Sequence, residues 1–106
     1  MINNGHHTAL SPEEIKLGEL TRVETAFGSV LLTNVEGKLC GFSARCPHAG
    51  ADLAAGDLHR NRISCPKHDW KFNIESGRTV YPADEACRLR RYPIQIIDGR
   101  IYIQER

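Results

Sequence analysis

Two short stretches of this chain carry the residues with chemistry to offer. They are Cys46-Pro47-His48 and, sixteen residues further on, Cys65-Pro66-Lys67-His68. Each supplies one thiolate and one imidazole, so the four potential ligands arrive as two mixed pairs, C-x-H and C-x-x-H. A zinc finger of the usual kind pairs Cys with Cys and His with His, with at least two residues inside each pair. Mixed pairs instead suit a binuclear cluster with inequivalent irons, two thiolates on one and two imidazoles on the other. A structural zinc site is the competing reading of the same four residues. Pro47 and Pro66 each adjoin a cysteine, and their fixed φ limits how far the loops can flex. Gly50 and Gly56 permit tight turns and close backbone approach.

The surrounding residues resemble the Rieske [2Fe–2S] family. Cys46-Pro47-His48-Ala49-Gly50-Ala51-Asp52-Leu53 is similar to its first cluster loop, and Cys65-Pro66-Lys67-His68-Asp69-Trp70-Lys71-Phe72 to its second. Gly77-Arg78 and Tyr81-Pro82-Ala83 resemble the turn and third loop that cover the cluster. Tyr92-Pro93-Ile94 and Asp98-Gly99-Arg100-Ile101-Tyr102-Ile103 resemble the closing hairpin of soluble Rieske ferredoxins. The resemblance implies one [2Fe–2S] cluster per chain, bound by Cys46, His48, Cys65 and His68. It implies a one-electron carrier rather than an enzyme, working between a reductase and a terminal oxygenase as in ring-hydroxylating dioxygenase systems. A second member class, the small subunit of nitrite-reductase-like complexes, shares the fold. Asp69 departs from the family pattern, which often has Gly after the second histidine. The disulfide that links the loops in some members cannot form, because Ala49, Gly50, Ala51 and Lys67 fill the places. High-potential members carry a serine and a tyrosine shortly after the second histidine. Here those places lie within Asp69-Trp70-Lys71-Phe72, which places the potential at the low end of the Rieske range.

Two cysteines remain outside the motif. Cys40 sits in an apolar strand pattern, where a free thiol behaves as a small hydrophobe, and Cys87 falls in a loop; both read as structural. Basic and acidic side chains nearly balance, 14 against 13, which gives no case for nucleic-acid binding. No apolar run approaches the ~20 residues of a membrane span, and the start of the chain lacks signal-peptide character. The expectation is a soluble, cytoplasmic, monomeric protein. The charge is unevenly spread, with three basic and five acidic side chains in residues 1–44 but eleven and eight in residues 45–106. Arg45, Arg60, Arg62 and Lys67 in or near the loops, followed by Arg88, Arg90 and Arg91, read either as ordinary solvated surface or as a docking face for an acidic partner.

The elements that must hold these loops are mostly strands. At 106 residues the chain suits a single domain. Residues 1–10 read as a mobile tail, and Ser11-Pro12-Glu13-Glu14 as the capped start of a helix of a turn or two. Period-two patterning predicts strands over 19–25, 30–35, 38–44, 62–64, 71–74, 91–97 and 100–104. Glu36-Gly37 and Asp98-Gly99 mark hairpin turns. The expected fold is all-β, a Rieske-like antiparallel barrel or sandwich with a small cluster-binding subdomain inserted at about residues 44–82.

Overall fold

The computed structural model describes residues 5–83 and 85–105. It is all-β. One antiparallel sheet holds β1 (Gly5–His7), β11 (Arg100–Gln104) and β10 (Ile94–Ile97) in the order β1-β11-β10. A second has the order β2 (Thr21–Thr25), β3 (Gly28–Val35), β4 (Lys38–Ser43), β9 (Arg91–Tyr92). The third runs β5 (Leu58–His59), β6 (Arg62–Ser64), β7 (Lys71–Asn73), β8 (Thr79–Tyr81), and both cysteine loops adjoin it.

β3 is the central plank. A strand with one face in water alternates apolar and polar, whereas one covered on both faces reads as a continuous run. Val30-Leu31-Leu32-Thr33 is such a run, and all four residues are buried. Leu31 points into a core shared with Phe42, Leu53, Ile63, Phe72, Cys46 and Cys65, so this face of β3 supports the cysteine loops. Val30 and Leu32 point the other way and pack with Ile15, Tyr92, Ile101 and Ile103. Each fully buried Leu, Ile or Phe contributes about 1.5–3 kcal/mol, so the two cores make the sheets interdependent.

Local chemistry explains the connections. Glu36 and Gly37 have φ of 51° and 90°, and Asp98 and Gly99 have 52° and 76°. Two successive positive φ values are what a type I′ hairpin turn requires. The expected strand over 91–97 is interrupted at Pro93: Arg91 and Tyr92 pair with β4, while Ile94–Ile97 pair with β11. The chain therefore passes from one sheet to another at a residue that has no N–H to offer either ladder. The helix-like start at Ser11 becomes a 3-10 turn at Pro12–Glu14, with the Ser11 N–H donating to the Glu14 carboxylate at 2.8 Å. The turn stops there because Ile15 swings into the core, where it is 2% exposed.

The expectation of a mobile tail over residues 1–10 is corrected in part. Gly5–His7 is a strand paired along β11, and Thr8 donates through both its N–H and its hydroxyl to the Ile101 carbonyl. Its polar sequence conceals the strand because β1 lies at a sheet edge, where backbone pairing rather than apolar burial holds it. Met1 to Asn4 lie outside the described residues. Among the described residues no helix is long and apolar enough to cross a membrane.

One buried polar atom stands out: the Thr33 hydroxyl is fully enclosed and has no hydrogen-bond partner. An unsatisfied buried hydroxyl costs about 1–3 kcal/mol, and valine has nearly the same shape. Thr33→Val should stabilise the fold by about 1 kcal/mol, raising Tm by roughly 5 °C. A thermal melt showing a lower Tm would mean that the hydroxyl has a partner in solution.

Candidate metal centre

The two cysteine loops repeat one backbone device. The N–H of Cys46 donates to the carbonyl of Ala51 at 2.8 Å, and the N–H of Cys65 donates to that of Trp70 at 2.6 Å. In each case the cysteine is bonded to the residue five places on, which closes the intervening residues into a tight loop. The first loop is further pinned by Gly50 N–H to Cys46 carbonyl at 2.8 Å and Leu53 N–H to Ala44 carbonyl at 2.7 Å. Asp52 accepts from the Ala54 N–H at 3.0 Å, capping the 3-10 turn Leu53–Ala55, and it also receives the Arg22 guanidinium from β2.

Histidine follows cysteine by two residues in the first loop and by three in the second. The extra residue is absorbed by unusual backbone, since His68 and Asp69 have φ of 71° and 56°. Left-handed backbone is costly for most side chains, while Asp and His visit it more readily than bulky residues. This explains why glycine is common at the place of Asp69 in the resembling family. Asp69 is tolerated there, and Lys71 Nζ lies 2.9 Å from its carboxylate, balancing the charge. Gly50, with φ of 70°, makes the corresponding bend in the first loop, with the Arg45 guanidinium lying against it.

The loops sort their donors by type. Cys46 and Cys65 are 1% and 2% exposed and line the core beneath the loops. Burial pushes the Cys65 thiol up; the adjacent Cys46 sulfur pushes in the same direction, and the Lys67 N–H opposes both. His48 and His68 are exposed, with ring centroids 5.8 Å apart. The sulfurs thus lie inside and the imidazoles outside. A mixed-ligand two-iron cluster needs two separate pairs, and this donor set fits it.

The sequence places Trp70 near the cluster, packed in the core and shielding it; the particular contacts that hold the site carry no local signal. The Trp70 ring lies parallel to that of His48, 3.8 Å between centroids and 7° between planes, linking one loop to the other's imidazole. Trp70 also packs against the core, so core packing and shielding coincide. The Arg22–Asp52 pair ties β2 to the first loop. Cys40 is buried in the core, as expected, with its thiol pushed up by burial. Cys87 is half-buried, in a segment that returns close to Cys46; burial raises its thiol, and the Cys46 sulfur adds to the effect. Arg60 and Arg62 are not beside the site. They lie down β5–β6 from the cysteine, and Arg60 lines a cleft with Glu36 and Glu75 at the far end of β3 and β4.

The matched family model is described as Rieske [2Fe-2S] domain and covers residues 6–93. The 3-phenylpropionate/cinnamic acid dioxygenase ferredoxin subunit of Photorhabdus laumondii is 31% identical over 93 residues, covering 86% of each chain. Apoptosis-inducing factor 3 of Homo sapiens is 31% identical over 87% of this chain, which spans only 15% of that protein's length. Among solved structures, the ferredoxin of carbazole 1,9a-dioxygenase from Nocardioides aromaticivorans IC177 superposes with a TM-score of 0.83. It is 21% identical, covering 98% of this chain and 100% of its own.

Gly56 is the backbone position on which the second loop depends. A Cβ there would stand 1.8 Å from the carbonyl oxygen of Ser64, one residue before Cys65. Gly56→Ala should therefore displace β6 and cost at least about 2 kcal/mol, with a matching fall in Tm and weaker retention of iron. An unchanged melt and iron content would show that the loops do not depend on this approach.

Proposed function

The chain belongs to the Rieske [2Fe–2S] domain family, and from that premise we propose that it is a one-electron carrier. In this reading one cluster is held per chain, with Cys46 and Cys65 on one iron and His48 and His68 on the other. Residues 44–82 form its binding unit within a single domain spanning the chain, in the cytoplasm. The carrier takes electrons from a reductase and delivers them to a terminal oxygenase, itself transforming no substrate. The similarity to a dioxygenase ferredoxin subunit over most of both chains supports this choice.

The observation that carries the reading is the segregation of donors. When bound, the cluster supplies a reversible one-electron couple. The protein's residues decide who can reach it. Cys46 and Cys65 hold the inner side away from water among Leu53, Ile63 and Phe72. His48 and His68 present the outer side at the surface, giving an approaching redox protein a short path. The hydrogen-bonded loops and their prolines resist rearrangement when charge changes. Phe72, fully buried, offers no hydroxyl to the site. Neutral imidazoles raise the potential above that of all-cysteine clusters, and fewer hydrogen bonds to sulfur keep it low within the Rieske range.

Single alanine substitutions of Cys46, His48, Cys65 and His68 should each abolish the red-brown colour and the stoichiometric iron and acid-labile sulfide. Cys40→Ser and Cys87→Ser should retain all three. Full iron and sulfide in any of the four alanine variants, or their loss in Cys87→Ser, would overturn the ligand assignment.

A further inference from the structure

Beside the first loop lies a groove of about 430 Å3 whose wall includes Ser43, Arg45, Pro47, His48, Arg88 and Arg90. No acidic residue lines it. The arginines converge for a topological reason. Residues 88–90 run extended past the end of β4, with the Ser43 N–H donating to the Arg90 carbonyl at 2.8 Å. In extended chain alternate side chains share a face. Leu89 therefore enters the core, while Arg88 and Arg90 both turn outward beside Arg45.

Backbone contacts position Arg88 and Arg90. Arg88 Nη1 donates to the backbone carbonyls of Glu85, Ala86 and Cys87 at 3.1–3.3 Å. Arg90 Nη2 donates to the Glu105 carbonyl at 3.2 Å, and its guanidinium sits 5.2 Å from the Tyr92 ring centroid. Among the described residues no carboxylate lies within 4.0 Å of Arg45, Arg88 or Arg90, whereas Arg22, Lys38 and Lys71 are all paired with acids. Asp52, across the first loop, is engaged by Arg22. Among the described residues, three guanidiniums with no carboxylate partner thus border the groove that His48 also lines.

We propose that this groove docks a carboxylate-rich segment on the surface of the redox partner, seating that partner against the His48 side of the centre. The proposal rests on the electron-carrier reading and specifies the partner's chemistry. Guanidinium forks suit carboxylates. Charges at the rim of an interface act chiefly by steering the encounter, and salt weakens them. Geometry moves the docking face from the Arg60 and Arg62 side to the Arg88 and Arg90 side.

The test is a fluorescence-anisotropy titration of a labelled twelve-residue Glu/Asp-rich peptide with the cluster-loaded protein, at 20 and 200 mM salt. A Lys-rich peptide of equal length is the control. The acidic peptide should bind, weaken at least tenfold at the higher salt, and lose at least fivefold in affinity in R88Q/R90Q. R60Q/R62Q removes the same charge from the far end and should lose less than twofold. Equal losses in the two double variants would reduce the effect to net charge and overturn the groove. Displacement of the peptide by a few millimolar inorganic phosphate would make it a small-anion subsite and overturn protein docking. Visible spectrum and dithionite reduction are recorded on every sample. A wild-type protein without a reducible cluster would refute the carrier reading itself, whereas an intact cluster with no peptide binding would refute only the groove.

Discussion

Two thiols must meet inside the protein while two imidazoles from the same short loops meet outside it. Everything else in the structure serves that constraint. Each cysteine is built into the root of its loop by an N–H bond to the carbonyl five residues on, and each side chain is turned into the core. With the roots fixed, the histidines can only project outward. Unequal spacing would bring the rings out at different angles, and the left-handed backbone of His68 and Asp69 takes up the extra residue. The stack of Trp70 on His48 then holds one loop's imidazole from the other loop.

The same constraint explains the arrangement of the sheets. The core under the cysteines is not private to the cluster loops, since it includes Leu31 and Phe42 from the strands beneath. β3, covered on both faces, passes this support on to the sheet of β1, β10 and β11 through Val30 and Leu32. The loops are thus anchored to a strand that is buried on both faces. Charge is then distributed around the exposed face of the loops, paired at Asp69–Lys71 and, among the described residues, unpaired along Arg45, Arg88 and Arg90.

Much of this was legible in the sequence, for identifiable reasons. The ligand candidates announce themselves because mixed cysteine–histidine pairs at these spacings suit few centres. The strands at 62–64 and 100–104 match their predicted limits, and the hairpin at Asp98-Gly99 is coded by two adjacent residues. β1, β5 and β8, of two or three residues, were not legible; they are held by pairing with their neighbours. The break at Pro93 was disguised by apolar residues on either side. The Arg22–Asp52 tie and the Trp70–His48 stack join residues 30 and 22 positions apart, and no local pattern encodes such contacts. For the same reason Arg60 and Arg62 looked close to the centre in sequence, while Arg88 and Arg90, farther along the chain, are the ones that reach it.

Segregation of the donors by type puts sulfur with sulfur on one iron and nitrogen with nitrogen on the other. Mössbauer spectroscopy of the oxidised protein, loaded with 57Fe, addresses it directly because each iron reports its own ligands. Segregated donors should give two quadrupole doublets of equal area with distinct isomer shifts, the larger belonging to the iron bound by His48 and His68. A single doublet with the character of sulfur-only ligation, or protein holding zinc in place of iron, would contradict it.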